Sequence, residues 1–530
     1  MQTAPDSEAA NASRIPSGAE RVRLIHRAMK KVRTKGPWHA VGVVIVVTWL
    51  VLLGLLVRKI HFSTSAADPS VQTGDALSIQ GVQREWKELF FKDKKIGYAV
   101  HFLRPQADGY IVQEEMFLKL NLMGLASGVY TVTHCETDER FRLRRFRFRM
   151  TSGTIGFQAQ GRVEDGVLVV STGREQGRGV QRIPLDEPPV MGVSLDYLFR
   201  QRPLEVGQSY RFPMFDPSSM SRRSVEVRVA ARETVRIRGI AYEAYRLEAE
   251  VWGDRLTFWL DENGSTLKET GFMGLTAIRS SAAVAPENIQ GSGDVDFYEI
   301  SAVVPDRNIS RPRGVSFLQV RFEGLDRVSI DRSAWDGGRQ RFTSPLLEIA
   351  REQPPFEPDY ERPWTGEEGR FREALAPEFN IESDHEEVVR AAERIAAGEK
   401  DPVKVARRVQ AWVYTELKKR PVVSIPSAVE VLRTRVGDCN EHATLATALL
   451  RALGIPARIA VGLVYTRGKF FYHAWTEAYV GDWITLDATL NQMPVDATHI
   501  KLLEGNLDRQ VDVAGLIGKL KIQVMDYRHD

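Results

Sequence analysis

Residues 436–491 read VGDCNEHATLATALLRALGIPARIAVGLVYTRGKFFYHAWTEAYVGDWITLDATLN. Gly437 disfavours a helix interior and Asp438 is a good N-cap, so a helix is expected to start at Cys439. Ala443, Ala446, Leu449, Leu450 and Leu453 recur at helical spacing. Gly454 ends that helix as a left-handed cap, and Pro456 prevents its return. Cys439 therefore falls in the first helical turn. There the free N–H groups and the helix dipole are expected to favour a thiolate and to receive an oxyanion.

Ala457–Tyr465, Tyr472–Val480 and Trp483–Asp487 read as three strands. In the second, His473, Trp475, Glu477 and Tyr479 share one face, while Ala474, Thr476 and Ala478 offer a small-residue face to a helix. A two-residue loop at Gly481-Asp482 would set Asp487 opposite Thr476, on the wrong face for His473. An odd loop, such as Val480 to Asp482, pairs Trp475 with Asp487 and makes Asp487 the diagonal neighbour of His473. An odd loop or a bulge is therefore expected. Taken singly, Cys439 reads as a core cysteine, His473 as a bonded strand histidine and Asp487 as a turn cap. In this order they read as nucleophile, base and orienting carboxylate.

These motifs resemble the core of the transglutaminase-like superfamily of papain-like thiol enzymes, in its bacterial membrane-anchored form. The matching residues are Gly437-Asp438-Cys439, Leu450-Arg451, Gly454-Ile455-Pro456-Ala457-Arg458, His473-Ala474-Trp475 with Glu477, and Asp487-Ala488-Thr489. The resemblance implies an α+β fold, a helical layer on an antiparallel sheet. It assigns Cys439 as nucleophile, His473 as general base and Asp487 as its orienter. It implies acyl transfer at a peptide or glutamine-type amide through a thioester, with no cofactor or metal. Asn440 stands where animal transglutaminases carry an aromatic residue, and their oxyanion-hole tryptophan and calcium sites have no counterpart here.

The whole chain has 530 residues, 43% hydrophobic and 27% charged, room for roughly two to four domains. A formal net charge of +3 gives no case for nucleic-acid binding. With two cysteines, Cys135 and Cys439, the chain is not expected to depend on disulfides, and Cys135 reads as a plain strand residue. Cys439 and His442 have zinc half-site spacing without a second pair, so His442 reads as a helix-surface histidine.

Arg21, Arg23, Arg27, Lys30, Lys31, Arg33 and Lys35 precede Trp38–Val57, twenty residues without Asp, Glu, Lys or Arg. That length spans a hydrocarbon core of about 30 Å. The basic flank orients the N-terminus to the cytoplasm and the rest to the periplasm or the exterior, as a single-pass inner-membrane protein. A cleaved signal ending near Thr64 and Ala66 is the rival reading.

The expected organisation is a basic tail over 1–37, a transmembrane helix over 38–57 and a linker over 58–81, then an antiparallel β-rich domain over 82–304. A small β unit or edge strands follow over 305–350, a Pro- and Glu-rich connector over 351–380 and the thiol-enzyme domain over 381–530. The β-rich part shows short strands of roughly five to ten residues, with Asn263-Gly264 as its clearest hairpin turn. Phe146, Phe148 and Met150 alternating with Arg145, Arg147 and Arg149 fit a half-buried strand better than a basic binding strip. Asp496-Ala497-Thr498-His499 is expected to belong to the thiol domain, with His499 structural. The alternative to an enzyme is a non-catalytic membrane-anchored scaffold whose β module binds a glycan or lipid. The expected partners are a peptide or protein substrate and the membrane.

Overall fold

The computed structural model describes residues 81–530, apart from residues 154, 174–179, 203, 252, 328–330, 368 and 506. The Trp38–Val57 span and the strand-like Val328–Ile330 lie outside the described residues. Among the described residues no helix is long and apolar enough to cross a membrane.

The first half of the described chain is one fifteen-stranded sheet. Its first wing runs β1 (Gln83–Phe91), β2 (Lys94–Gln106), β3 (Gly109–Leu122), β4 (Leu125–Asp138), β5 (Leu143–Ser152), β6 (Ile155–Glu164), β7 (Val167–Thr172) and β8 (Val180–Pro184). Its second runs β9 (Val190–Met191), β10 (Ser209–Asp216), β11 (Ser221–Ile237), β12 (Ile240–Val251), β13 (Asp254–Leu260), β14 (Thr266–Thr270) and β15 (Thr276–Ser280). The wings join where β1 pairs with β15, and β8 and β9 are the two ends of the order. Neighbours are antiparallel except β9 and β10. The strands are longer than expected, 14 residues in β3 and β4 and 17 in β11, because alternation of apolar and polar residues continues past each anticipated turn. The sheet curls on itself: Phe146 of β5 and Phe215 of β10, from opposite wings, bring their rings to 5.4 Å. In β5 Phe146, Phe148 and Met150 are buried and the intervening arginines exposed, as a half-buried strand requires.

A short helix, α1 (Leu195–Leu198), is enclosed by this sheet. It carries a buried charge cluster. Lys87 Nζ lies 2.7 Å from Asp196 Oδ2 and 3.3 Å from Glu269, and Thr266 donates to Asp196 at 2.6 Å. His101 lies 3.3 Å from Glu114 and 3.6 Å from Asp196.

After α2 (Phe297–Ser301), three strands follow: β16 (Val315–Glu323), β17 (Gln340–Thr343) and β18 (Leu346–Ala350). They do not stand alone. β16 pairs on its free side with β25 (Lys521–His529), giving a four-stranded sheet in the order β17-β18-β16-β25. Within the Pro- and Glu-rich connector, residues 351–371 form a docked strap. Tyr360, Trp364 and Phe371 pack around Tyr479, Trp364 N–H donates to the Gly454 carbonyl at 2.8 Å, and Arg362 reaches Glu393 at 3.1 Å. α3 (Arg372–Leu375) ends this strap.

The remainder is a helical layer on a small sheet. The helices are α4 (Glu386–Ala396), α5 (Pro402–Glu416), α6 (Ala428–Thr434) and α7 (Cys439–Ala452). Two-residue strands β19 (Lys418–Lys419) and β20 (Val436–Gly437) pair in parallel just before α7. The sheet has the order β23-β22-β21-β24, with β21 (Ala457–Thr466), β22 (Lys469–Tyr479), β23 (Trp483–Leu486) and β24 (His499–Glu504). Ala474 and Ala478 of β22 make room for α7, and Thr476 Oγ1 donates to the Ala443 carbonyl at 3.2 Å. Residues 441–451 of α7 are all buried, so the helix is central and not one-faced. Leu463, Phe470, Ile500 and Leu502 pack with Val315, Leu318, Phe322 and Val524, so the β16–β25 sheet backs the β21–β24 one.

Candidate active site

Asp438 caps α7 as its sequence requires. Asn440 N–H donates to Asp438 Oδ1 at 3.0 Å, and Asp438 N–H donates to Glu441 Oε2 at 2.8 Å, a reciprocal capping box. Only glycine fits at 437, because a Cβ there would stand 2.2 Å from Glu441 Cβ. Ser424 Oγ holds the other oxygen of Glu441. Cys439 follows, half-buried, and its thiol receives the N–H of Ala474, the residue after His473.

The turn between β22 and β23 decides where Asp487 lies. Tyr479 pairs with Trp483 and Thr476 with Leu486, so the loop is the three residues Val480–Asp482, closed by Val480 N–H on the Asp482 carbonyl at 2.9 Å. This is the odd loop that the face argument demands. His473 Nε2 lies 2.8 Å from Asp487 Oδ2. Asp487 Oδ1 accepts from Thr489 N–H at 2.7 Å and Leu490 N–H at 2.9 Å. With Nε2–H committed to Asp487, Nδ1 is the nitrogen of His473 left to exchange a proton.

Two further histidines enter the site. His499, at the start of β24, is fully buried; its Nε2 lies 3.2 Å from the same Asp487 Oδ2, and its Nδ1 lies 3.3 Å from Asp496 Oδ1. His442 is not a surface histidine: it is fully buried, with Nδ1 2.6 Å from the Asp438 carbonyl. The reason is that α7 is packed on all sides. Burial also holds the His442 pKa below its usual value, keeping the ring neutral.

Electrostatics differ from the sequence expectation at Cys439. Burial, and then the charge of Asp438, push the thiol well above its ordinary value against the opposing Ala474 N–H. Asp438 is itself raised by burial, then by the charge of Glu441 and their hydrogen bond. The helix terminus is thus already supplied with acidic partners, and the resting sulfur is a thiol. Burial would raise Asp487, but the charges and hydrogen bonds of His473 and His499 outweigh it and hold the carboxylate well below its usual range. Burial would lower His499, yet Asp496 and Asp487 lift it to about 9.

His473, Asp487 and His499 bring one ligand-type atom each to within 4.8 Å of one another. The set does not suit a cation. Both histidines direct Nε2 at one carboxylate oxygen, and the second nitrogen of His499 is held by Asp496.

Sequence reading missed Tyr298. It sits on α2, far upstream, and stacks on Phe471 of β22 with ring centroids 4.9 Å apart. Burial, and then the nearby Cys439 and Asp438, raise its phenol. No periodicity links residue 298 to residue 439. Trp475 was visible as a member of the His473 face; its ring lies 5.4 Å from that of His499, edge to face.

The transglutaminase-like superfamily model matches residues 389–488. A second family, of a protein of unknown function (DUF3108), matches residues 119–269. No curated protein matches the chain. Among solved structures, a candidate cysteine protease from Cytophaga hutchinsonii is 21% identical over 43% of this chain and 83% of its own, with a TM-score of 0.27. A β-barrel-like protein with the DUF1849 domain of unknown function, from Brucella abortus, is 16% identical over 37% of this chain and 95% of its own, TM-score 0.30. A candidate protease from Parabacteroides distasonis is 11% identical over 67% and 69%, TM-score 0.18. Scores this low describe loose overlaps, from which nothing is carried over. The chain carries a transglutaminase-like domain over residues 389–488, preceded by a large antiparallel β-rich region.

Proposed function

We propose that the chain is a membrane-anchored thiol enzyme that transfers the acyl group of a peptide or glutamine-type amide through a thioester on Cys439. The observation that carries this reading is the 2.8 Å contact of His473 Nε2 with Asp487, on a strand whose next N–H meets the Cys439 thiol. Because the resting sulfur is a thiol, His473 Nδ1 takes its proton as Sγ attacks the carbonyl carbon. The C–S bond forms, and the Cys439 N–H at the start of α7 faces the oxyanion. The C–N bond then breaks and His473 returns the proton to the leaving amine. Attack by water completes hydrolysis or deamidation, and attack by an amine completes transamidation. Asp487 holds the His473 tautomer and stabilises its imidazolium.

Trp38–Val57 is the anchor in this reading, with the described residues outside the cytoplasm, where the substrate is a peptide or protein. The test is ammonia release from glutaminyl peptides, and amine incorporation into them, by the full-length chain beside Cys439→Ala and His473→Ala. Both variants are expected to lose turnover by about a thousandfold or more. Turnover retained by Cys439→Ala would overturn the reading in favour of a scaffold.

A further inference from the structure

Three buried polar features lie outside the nucleophile and base: the Lys87–Asp196 cluster, the acidic pair under Cys439, and His499. The last is fixed by the most geometry. Resting on the reading of Cys439 and His473 above, we infer that His499 is a positioning residue of the thiol site, an imidazolium clamped between Asp487 and Asp496 that sets both the rotamer of Asp487 and the field His473 experiences.

His499 and His473 both meet Asp487 Oδ2, at 3.2 and 2.8 Å, while Oδ1 is filled by two backbone N–H groups. The carboxylate therefore has no second orientation that keeps its partners. His499 cannot swing away either, because Asp496 Oδ1 holds its other nitrogen at 3.3 Å. Asp496 is in turn fixed by Thr498 N–H at 2.8 Å and Gln492 at 2.8 Å. Trp475 lies edge-on at 5.4 Å and seals the ring from water.

The charges facing His499 can be named element by element. Asp487 and Asp496 flank it, and the His473 ring centroid is 5.9 Å away on β22. Arg339, beside β17, donates to the Asp496 carbonyl at 2.6 Å and pairs with Glu352. Lys501, two residues along β24, is spent on Glu477 and Glu504. With His499 charged, Asp487, His499 and Asp496 together carry one negative charge, which one proton on His473 neutralises. With His499 neutral they carry two. The His499 charge therefore halves the net negative charge that a proton on His473 faces during transfer. The value of about 9 for His499 agrees with the clamp that the distances define.

The test uses the full-length chain carrying Cys439→Ala and histidine labelled with 13C at Cε1, titrated by NMR. His499 is expected to stay protonated through neutrality. In His499→Gln, which keeps a donor for Asp487 without the charge, the His473 midpoint is expected to move up by about one pH unit or more. In Asp496→Asn the midpoint of His499 itself is expected to fall by at least about one unit. A His473 midpoint unmoved in folded His499→Gln would overturn the proposal, leaving His499 a packing residue that alters melting temperature alone. If that variant does not fold, a His499 that is neutral at pH 7, or indifferent to Asp496→Asn, overturns it instead. None of these readouts needs turnover. An inert Cys439 would defeat the proposed function and leave this coupling measurable.

Discussion

His101 and His499 are both buried beside two carboxyl groups, yet burial and its neighbours leave the first neutral and the second protonated. Burial, then Lys87 and Arg200, bring His101 down to about 4 despite Asp196. Asp496 and Asp487 lift His499 to about 9 against burial. The difference is the cation already in place. Lys87 satisfies Asp196 and Glu269 within the β-rich region, so a second positive charge is unwelcome, and burial lifts the neighbouring Glu114 carboxyl to about 7. In the thiol domain no lysine reaches Asp487 among the ion pairs described, and histidine supplies the charge. One cluster is a closed staple for α1. The other ends on a half-buried sulfur.

The largest expected effect separates the clusters by function. Asp487→Ala leaves two buried imidazoles without their carboxylate. It should cost about 3–5 kcal/mol in urea unfolding and at least about a thousandfold in turnover. Asp196→Ala should cost a similar stability and leave turnover per folded molecule intact. A loss of turnover in folded Asp196→Ala would break the distinction.

The two cysteines give the next contrast. Cys135 is fully buried in the β core and burial pushes its thiol up to about 12, whereas Cys439 is half-buried. Native alkylation followed by peptide mapping should label Cys439 at least about a hundredfold faster, since Cys135 needs local unfolding. Equal rates would mean the β region opens as readily as the site.

The slopes of stability against pH should also oppose each other. A raised His499 stabilises fully below its unfolded value of about 6.5, and that stability is lost as pH rises through about 9, some ~3 kcal/mol. His101, depressed to about 4, loses a comparable ~3 kcal/mol as pH falls from about 6.5. Glu114 offsets it, because a carboxyl raised to about 7 gains stability as pH falls from there toward its unfolded value. Wild-type stability should therefore change little from this pair between pH 4.5 and 6.5, and Glu114→Gln should uncover the acid slope. Chemical denaturation at several pH values checks both signs.

The smallest effect concerns Arg147, exposed on β5. Arg147→Ser should change stability by less than about 0.5 kcal/mol and turnover not at all. A larger loss of turnover would make that face a binding strip.

Much of the site was legible because its determinants are local. Gly437-Asp438 starts α7, alternation aligns β22, and parity of the Val480–Asp482 loop brings Asp487 to His473. What local pattern does not carry is what comes from elsewhere in space. Tyr298 arrives from α2, the burial of His442 depends on helices packed around α7, and His499 gains its role only when β24 pairs with β21 beside Asp487. The resting thiol has a related cause: burial of Cys439 by the elements packed around it, and then the charge of Asp438, outweigh the helix terminus that local sequence shows.

The ladder between β16 and β25 joins segments far apart in sequence: Gln523 donates to Glu323 at 2.7 Å across 200 positions. The thiol domain is therefore threaded like a bead inside a closed clasp. A protease that nicks the 351–371 strap would cut the chain without parting the two pieces, because the clasp still holds them. Closing that clasp on an unfolded chain costs the closure entropy of a loop of 200 positions, a cost that compaction of the domain between its halves reduces, so the ladder is expected to form late in folding.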